Sequence, residues 1–350
     1  MTTRRIPSVR ADTADREEKK MSFHMRFSRG LAAGALAASI ALGVTAAGAQ
    51  EKVRIALGDV VSEETLAFLI ALERAKDRGV DYELTSFAEE ELAIQAIVSG
   101  QADVGIGTPY TIIQKSKVPL RALFQVSSLV FFPVVSTEYK TWNDLDGQPF
   151  TFHARGTATE AYGEVIAARE GIEFGQRSYV PGSENRVVAL LNGTINGTIL
   201  DLSNKNRVLE QAPDKFHELP GLTEKVSDEI LFANQEWVTN NQETATILVE
   251  ELMKLWREMN ADPSIIEQER AKRNLLADLP AEVLEEVPDY YAEGVEAGIW
   301  NPEGASEELA KGDFAFYVDS GQLEGPAADL KVEDFWDLAP AEAAKKNLGG

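Results

Sequence analysis

Arg155-Gly156-Thr157-Ala158-Thr159 is the stretch of this 350-residue chain whose residue types and spacing point most directly to chemistry. A threonine with Glu160 three residues on is a capping-box helix start. The free N–H groups of such a first turn are ready to meet an anion. Arg155, just upstream, adds a planar fork of donors that matches carboxylate, sulfonate or phosphate. Thr157 and Thr159 add hydroxyls. The same residues also read as an ordinary helix start beside a surface arginine.

Other candidates sit where the sequence pattern ends its strands. Thr108 follows the apolar run Ala102–Ile106 and precedes Pro109, so it is either a ligand hydroxyl or an N-cap, or both. Tyr110 and Phe132 offer rings that could stack on a flat ligand or simply pack. Asp59 and Asp201 could each fix an amine or hydroxyl of a ligand, or cap the helix that follows. Asn234, in the segment 232–235, completes the set. Of the three histidines, His24 lies near the N-terminus, and His153 and His217 have no partners at metal-ligand spacing. The sequence predicts no metal and no cofactor. Cysteine is absent, and no nucleophile–base pair is legible, so an enzyme is not expected.

The elements that must position these residues follow an α/β pattern. Strands over 53–57, 82–85 and 102–106 alternate with helices over 62–78 and 89–99, a doubly wound start. Strands over 120–126 and 129–135 continue it. After the turn-rich stretch 142–147 a second unit repeats the plan: strands over 150–153, 178–180 and 194–200, with helices capped at Thr157 and Ser183. A strand over 230–238 returns to the first unit. The rest is helical, interrupted at Pro280, Pro288 and Pro302, and Trp256 falls on an apolar stripe that reads as plain core. The expected boundaries are lobe 1 at 50–135 and 232–350 and lobe 2 at 136–231. The expected crossings, near 133–137 and 228–236, would form a hinge.

Composition sets the compartment and excludes one class of partner. Arg26 and Arg29 precede the small, apolar run 31–44, and Ala47-Gly48-Ala49 follows. That is a secretory signal peptide cleaved near Gln50, with residues 1–20 as a possible upstream extension and Met21 or Met25 as alternative starts. The net charge is −23, and removing the basic leader makes it more negative. Such a surface repels phosphate backbones, so nucleic acid is not a partner.

Several of these motifs, in this order, resemble those of periplasmic solute-binding proteins of ABC importers with the type II periplasmic-binding fold. The closest likeness is to the sulfonate, taurine, nitrate and thiamine-pyrimidine group. The resemblance rests on Gly100-x-x-Asp103 with Thr108-Pro109 after it, Leu145-Asp146-Gly147, and Gly156-Thr157-Ala158-Thr159. Val332-Glu333-Asp334-Phe335, with Ala343 and Leu348-Gly349 after it, adds to these. It spans about 51–350. Two departures are Asn196, where members often keep an acid, and the loop Gly58-Asp59-Val60-Val61, which is poorer in Gly and Pro. The resemblance implies two lobes on a two-crossing hinge and a monomer in the periplasm that hands a small organic anion, carboxylate or sulfonate, with or without an aromatic ring, to an ABC permease. It also admits a thiamine-pyrimidine-type heterocycle as ligand, or a membrane signalling protein as partner.

Overall fold

The computed structural model describes residues 52–349 apart from 88, 223 and 224. The expected signal peptide lies outside the described residues. The chain opens with β1 (Val53–Leu57), α1 (Leu66–Asp77), β2 (Tyr82–Ser86), α2 (Glu90–Val98), β3 (Val104–Gly107), α3 (Tyr110–Ser116) and β4 (Leu120–Gln125). It crosses to β5 (Phe132–Ser136), β6 (Phe150–Phe152), α4 (Ala158–Glu170), β7 (Arg177–Tyr179), α5 (Ser183–Leu191), β8 (Gly197–Leu200), α6 (Leu202–Gln211) and β9 (Phe216–Glu218). It returns as β10 (Ile230–Asn234) and α7 (Gln235–Asn240). The helices α8 (Gln242–Ala261), α9 (Ile265–Arg273), α10 (Ala281–Ala297), α11 (Glu307–Asp319), α12 (Val332–Phe335) and α13 (Ala339–Asn347) finish the chain.

Two five-stranded sheets share one plan. Their orders are β2-β1-β3-β10-β4 and β7-β6-β8-β5-β9. In each, three parallel strands meet one antiparallel strand that has just arrived from the other sheet. The α/β class with two lobes and a helical last third is as the sequence predicts. The boundaries shift. All of β5 pairs with β8 and β9, so residues 132–136 belong to the second sheet and not to the end of the first. All of β10, from Ile230 on, belongs to the first. The crossings are therefore 126–131 and 219–229, earlier than expected, and a bridge between Ser128 and Ser227 ties them.

A buried polar knot fixes the second crossing. The Asp313 carboxylate on α11, fully buried, accepts from Ser227 N–H and Ser227 Oγ, both at 2.7 Å, and from the Tyr110 hydroxyl. Tyr317 Oη donates to Ser227 O at 2.7 Å, and Trp336 Nε1 donates to Tyr110 Oη at 3.0 Å. Buried polar groups of this kind are tolerated because each has a partner.

Where β3 meets β10 the sheet leaves no room for a side chain. A Cβ on Gly105 would lie 2.5 Å from Phe232 Cζ, and that ring is fully buried. Gly105→Ala is expected to destabilise the protein by about 1–3 kcal/mol through overpacking. A urea melt checks this; an unchanged midpoint would show that the ring yields freely.

Candidate functional site

In a parallel sheet the strand ends that carry loops and helix N-termini gather ligands. Here those ends from both sheets face each other across one cleft. Its cavity is about 150 Å³, lined from the first lobe by the loops after β1 and β3 and from the second by the ends of β6, β7 and β8. The hinge segments and α8 and α10 close its sides.

The lining is acidic. Asp59, Glu64, Glu90, Glu184, Asp201, Asp228 and Glu229 bring seven carboxyls, against one guanidinium, Arg186. Arg186 is fully buried and its donors are spent. Nε gives to Ile199 O at 3.3 Å, Nη1 to Val180 O at 3.0 Å and toward His153 Nδ1 at 3.4 Å, and Nη2 to Ser183 Oγ at 2.7 Å and Ile199 O at 3.2 Å. A guanidinium has five N–H groups, so none remains for a ligand anion. Burial lowers its pKa to about 10, with Asp201 the strongest opposing charge.

Burial also sets the protonation of the acids. It raises Asp59 to about 6, against the Val60 N–H bond, and Glu90 to about 7, against the bond from Thr108 N–H. It pushes Glu64, Asp228 and Glu229 well above the carboxylate range, with neighbouring carboxyls adding to the effect. Asp201 goes the other way. Burial opposes its charge, but hydrogen bonds from Glu64, Ser183 and Asn204 outweigh that and hold it low. Glu64 from the first lobe thus shares its proton with Asp201 from the second. Glu64 Oε1 is buried and meets no donor of the chain. His153, lowered to about 4 by burial and by Arg186, is neutral. Its Nδ1 receives from Gly182 N–H at 3.3 Å, which leaves the proton on Nε2. Among the described residues no three His, Asp or Glu side chains converge tightly enough to hold a metal ion. The acids are spread around a space suited to a larger group.

The apolar part of the wall is aromatic: Phe68, Phe131, Trp256, Tyr290 and Trp300. Trp256 donates to Val126 O at 3.0 Å, and Trp300 stacks on Tyr291 with centroids 4.8 Å apart.

The residues singled out from sequence divide between the cleft and elsewhere. Asp59, Thr108, Thr157, Thr159 and Asp201 line it. Asp201 is also the N-cap of α6, accepting from Asn204 N–H at 2.8 Å. Thr108 caps nothing: its hydroxyl donates to Asp228 O at 2.9 Å, and α3 starts after Pro109. The capping box at Thr157 does not form. Glu160 reaches the N–H of Gly156 at 2.7 Å, and the Thr157 hydroxyl turns back to Ala154 O at 2.8 Å.

Four of the expected ligand residues lie outside this lining. Arg155 is exposed, its guanidinium 4.8 Å from the Tyr179 ring centroid, because the left-handed turn at Gly156 (φ 76°) separates it from Thr157. Tyr110 is fully buried against Phe314, Tyr317 and Phe335, since the first turn of α3 points into the lobe. Phe132 lies outside the cleft, under Lys205 Nζ at 4.6 Å, and its neighbour Phe131 takes the lining place, as strand alternation requires. Asn234 caps α7 by accepting from Glu236 N–H at 2.9 Å. It sits at the far edge of the sheet because β10 is antiparallel, pairing Asn234 with Leu120 and Ile230 with Gly107. The same reversal brings Asp228 and Glu229, just before β10, to the cleft.

Glu64 shows what sequence reading missed. The helix expected over 62–78 would hold Glu64 in its first turn. Instead residues 62–65 form a turn, with Ser62 N–H on Thr65 Oγ1 at 3.0 Å, and α1 begins at Leu66. Glu64 is thereby freed to face Asp201. Glu90, Asp228, Glu229, His153 and Arg186 carried no local signal. The aromatic pair Tyr290-Tyr291 and Trp300 were visible only as composition.

The fold matches solved structures along nearly their whole length. A protein from Bordetella bronchiseptica is 20% identical, covering 86% of this chain and 99% of that one, at a TM-score of 0.66. A periplasmic sulfonate-binding protein from Methylobacillus flagellatus is 20% identical (86% and 95% covered, TM-score 0.60). A periplasmic nitrate-binding protein from Synechocystis is 14% identical (85% and 89% covered, TM-score 0.65). At these identities the likeness speaks for the periplasmic-binding fold alone. No curated protein matches the sequence. The NMT1/THI5-like family model matches residues 67–265, from α1 through both crossings to the start of α9, and by that match the chain belongs to the NMT1/THI5-like family.

Proposed function

We propose that this protein is a periplasmic solute-binding protein, acting as a monomer, that delivers a small planar amino-heterocycle of the aminopyrimidine type to an ABC permease. The observation that carries the ligand class is the cleft's surplus of carboxyls around an arginine with no donor to spare. A ring nitrogen beside an amino group offers one acceptor and one donor, which a protonated carboxyl meets with its O–H and C=O. Phe131, Tyr290 and Trp300 supply faces for the ring. The orphaned Glu64 Oε1 supplies an acceptor for a ligand N–H. Ligand contacts from both lobes would shift an open–closed equilibrium about the two crossings. A few such bonds and one stacked ring suffice for about −8 kcal/mol, a dissociation constant of ~1 µM.

A second reading, the small organic anion expected from sequence, draws on α4. Its first turn has no side-chain cap while Thr157, Ala158 and Thr159 line the cleft, so a carboxylate or sulfonate could dock on its N–H groups. A third use, as the ligand-sensing partner of a membrane signalling protein, would employ the same cleft. Calorimetry on residues 50–350 separates the two ligand classes. An aminopyrimidine is expected to bind near ~1 µM, while taurine, alkanesulfonates and nitrate give no measurable heat. The reverse ranking would overturn the heterocycle in favour of the anion.

A further inference from the structure

A second cavity, about 290 Å³, lies against the cleft on its outer side. Glu90, Thr108 and Thr157 face both spaces. Beyond them the character of the wall changes. Arg155 from the second lobe and Lys115 from the end of α3 in the first both line the outer cavity, and among the described residues neither is in an ion pair. Thr111 Oγ1, also on this wall, is buried and unpartnered. Ile94 and Ile112 give it an apolar side. Glu91 is the one further acid, and Glu90 already spends an oxygen on Thr108 N–H. In a chain with a net charge of −23, two unpaired cations from opposite lobes at the mouth of an acidic cleft form a local reversal of charge.

We infer that the ligand carries an anionic arm, which passes Glu90, Thr108 and Thr157 and ends between Arg155 and Lys115 with Thr111 Oγ1 as a further donor. The inference rests on the amino-heterocycle reading of the cleft and adds the arm to it. The two cations come from different lobes, so an anion between them would hold the lobes together as well as the ligand. It also gives Arg155 the anion-facing role its residue type suggested, outside the cleft.

The test uses a matched pair of probes: an aminopyrimidine bearing a propanoate arm, and the same ring ending in the neutral propanamide. Wild-type protein is expected to bind the propanoate about tenfold tighter, the order of one added charge-assisted contact. The double variant Arg155→Gln, Lys115→Gln should erase that preference and leave the propanamide affinity unchanged. Both positions are exposed, so the variant folds. Equal or weaker propanoate binding by the wild type overturns the arm while the heterocycle reading stands. So does a preference that survives in the double variant. If neither probe binds, both readings fall together.

Discussion

Glu64→Ala is expected to lose amino-heterocycle binding by about 10- to 100-fold while changing the stability of the unliganded protein little. The two effects differ in size for one reason. In the absence of ligand, Glu64 is a carboxyl held far above its ordinary range by burial and by the Asp201 charge, and its Oε1 accepts from nothing. A buried acceptor without a donor is a cost to the fold. Removing it relieves that cost but also takes the Glu64 bond from Asp201, which keeps those from Asn204 N–H and Asn204 Nδ2 at 2.8–3.1 Å, so the two changes offset each other. With ligand present, the same oxygen has a donor to accept from. Without that acceptor the ligand N–H is left buried and unpaired, a cost of about 1–3 kcal/mol, which gives the stated fold-change. Calorimetry and a urea melt on the same variant check both effects. A fall in stability with unchanged affinity would mean that Glu64 is structural and does not touch the ligand.

The second large effect is on pH. Without ligand, the thermal midpoint is expected to fall between pH 5 and pH 8. Asp59 and Asp313 titrate at about 6 and Glu90 at about 7 in the folded chain, against about 4 when unfolded. From pH 4 upward the folded state therefore holds protons that the unfolded state has released. The stability these groups contribute is complete below pH 4 and is lost as pH rises through 6 and 7. His153 acts in the opposite sense. Lowered to about 4, it is charged only in the unfolded state between pH 4 and 6.5, so its term gains stability over that range and is flat above it. Three carboxyls outweigh one imidazole, and above pH 6.5 nothing opposes Glu90. The acids held below their ordinary range, Asp201 and Glu269 among them, change only in stronger acid.

One pKa unit is about 1.4 kcal/mol, and water reaching the cleft reduces each term. The net loss is on the order of 2–4 kcal/mol, or roughly 5–10 °C at a few degrees per kcal/mol. A saturating aminopyrimidine should raise the midpoint most at the acid end and so steepen the slope, because a carboxyl that gives its O–H to the ring nitrogen favours the protonated form still more. Melts at four pH values, with and without ligand, test this. A midpoint that rises from pH 5 to 8 without ligand would contradict it.

Local signals in the sequence settled the two α/β units, their order and most of their helices, because apolar period, Gly stops and Pro breaks act over a few residues. The run 102–106 became β3 almost in place, and the second unit follows the predicted strand and helix order. They also put Asp59, Thr108, Thr157, Thr159 and Asp201 at the cleft, since a strand that runs into a helix shows its own end.

Strand direction is different: it is a property of pairing. Only the assembled sheet makes β5 and β10 antiparallel, and that reversal sends Asn234 to the far edge and brings Asp228 and Glu229 to the cleft. Charge balance is likewise tertiary. Arg155 looked like the anion anchor because its neighbours in sequence suggested it. Arg186, 31 residues further along the chain, is the guanidinium that folding buries in the cleft, with its donors already taken by backbone carbonyls. The sequence by itself determined a two-lobed binding fold and five of the residues that face its cleft. Tertiary structure decided that the cleft is acidic, because carboxyls far apart in the chain, from Asp59 to Glu229, become neighbours only when the two sheets face each other.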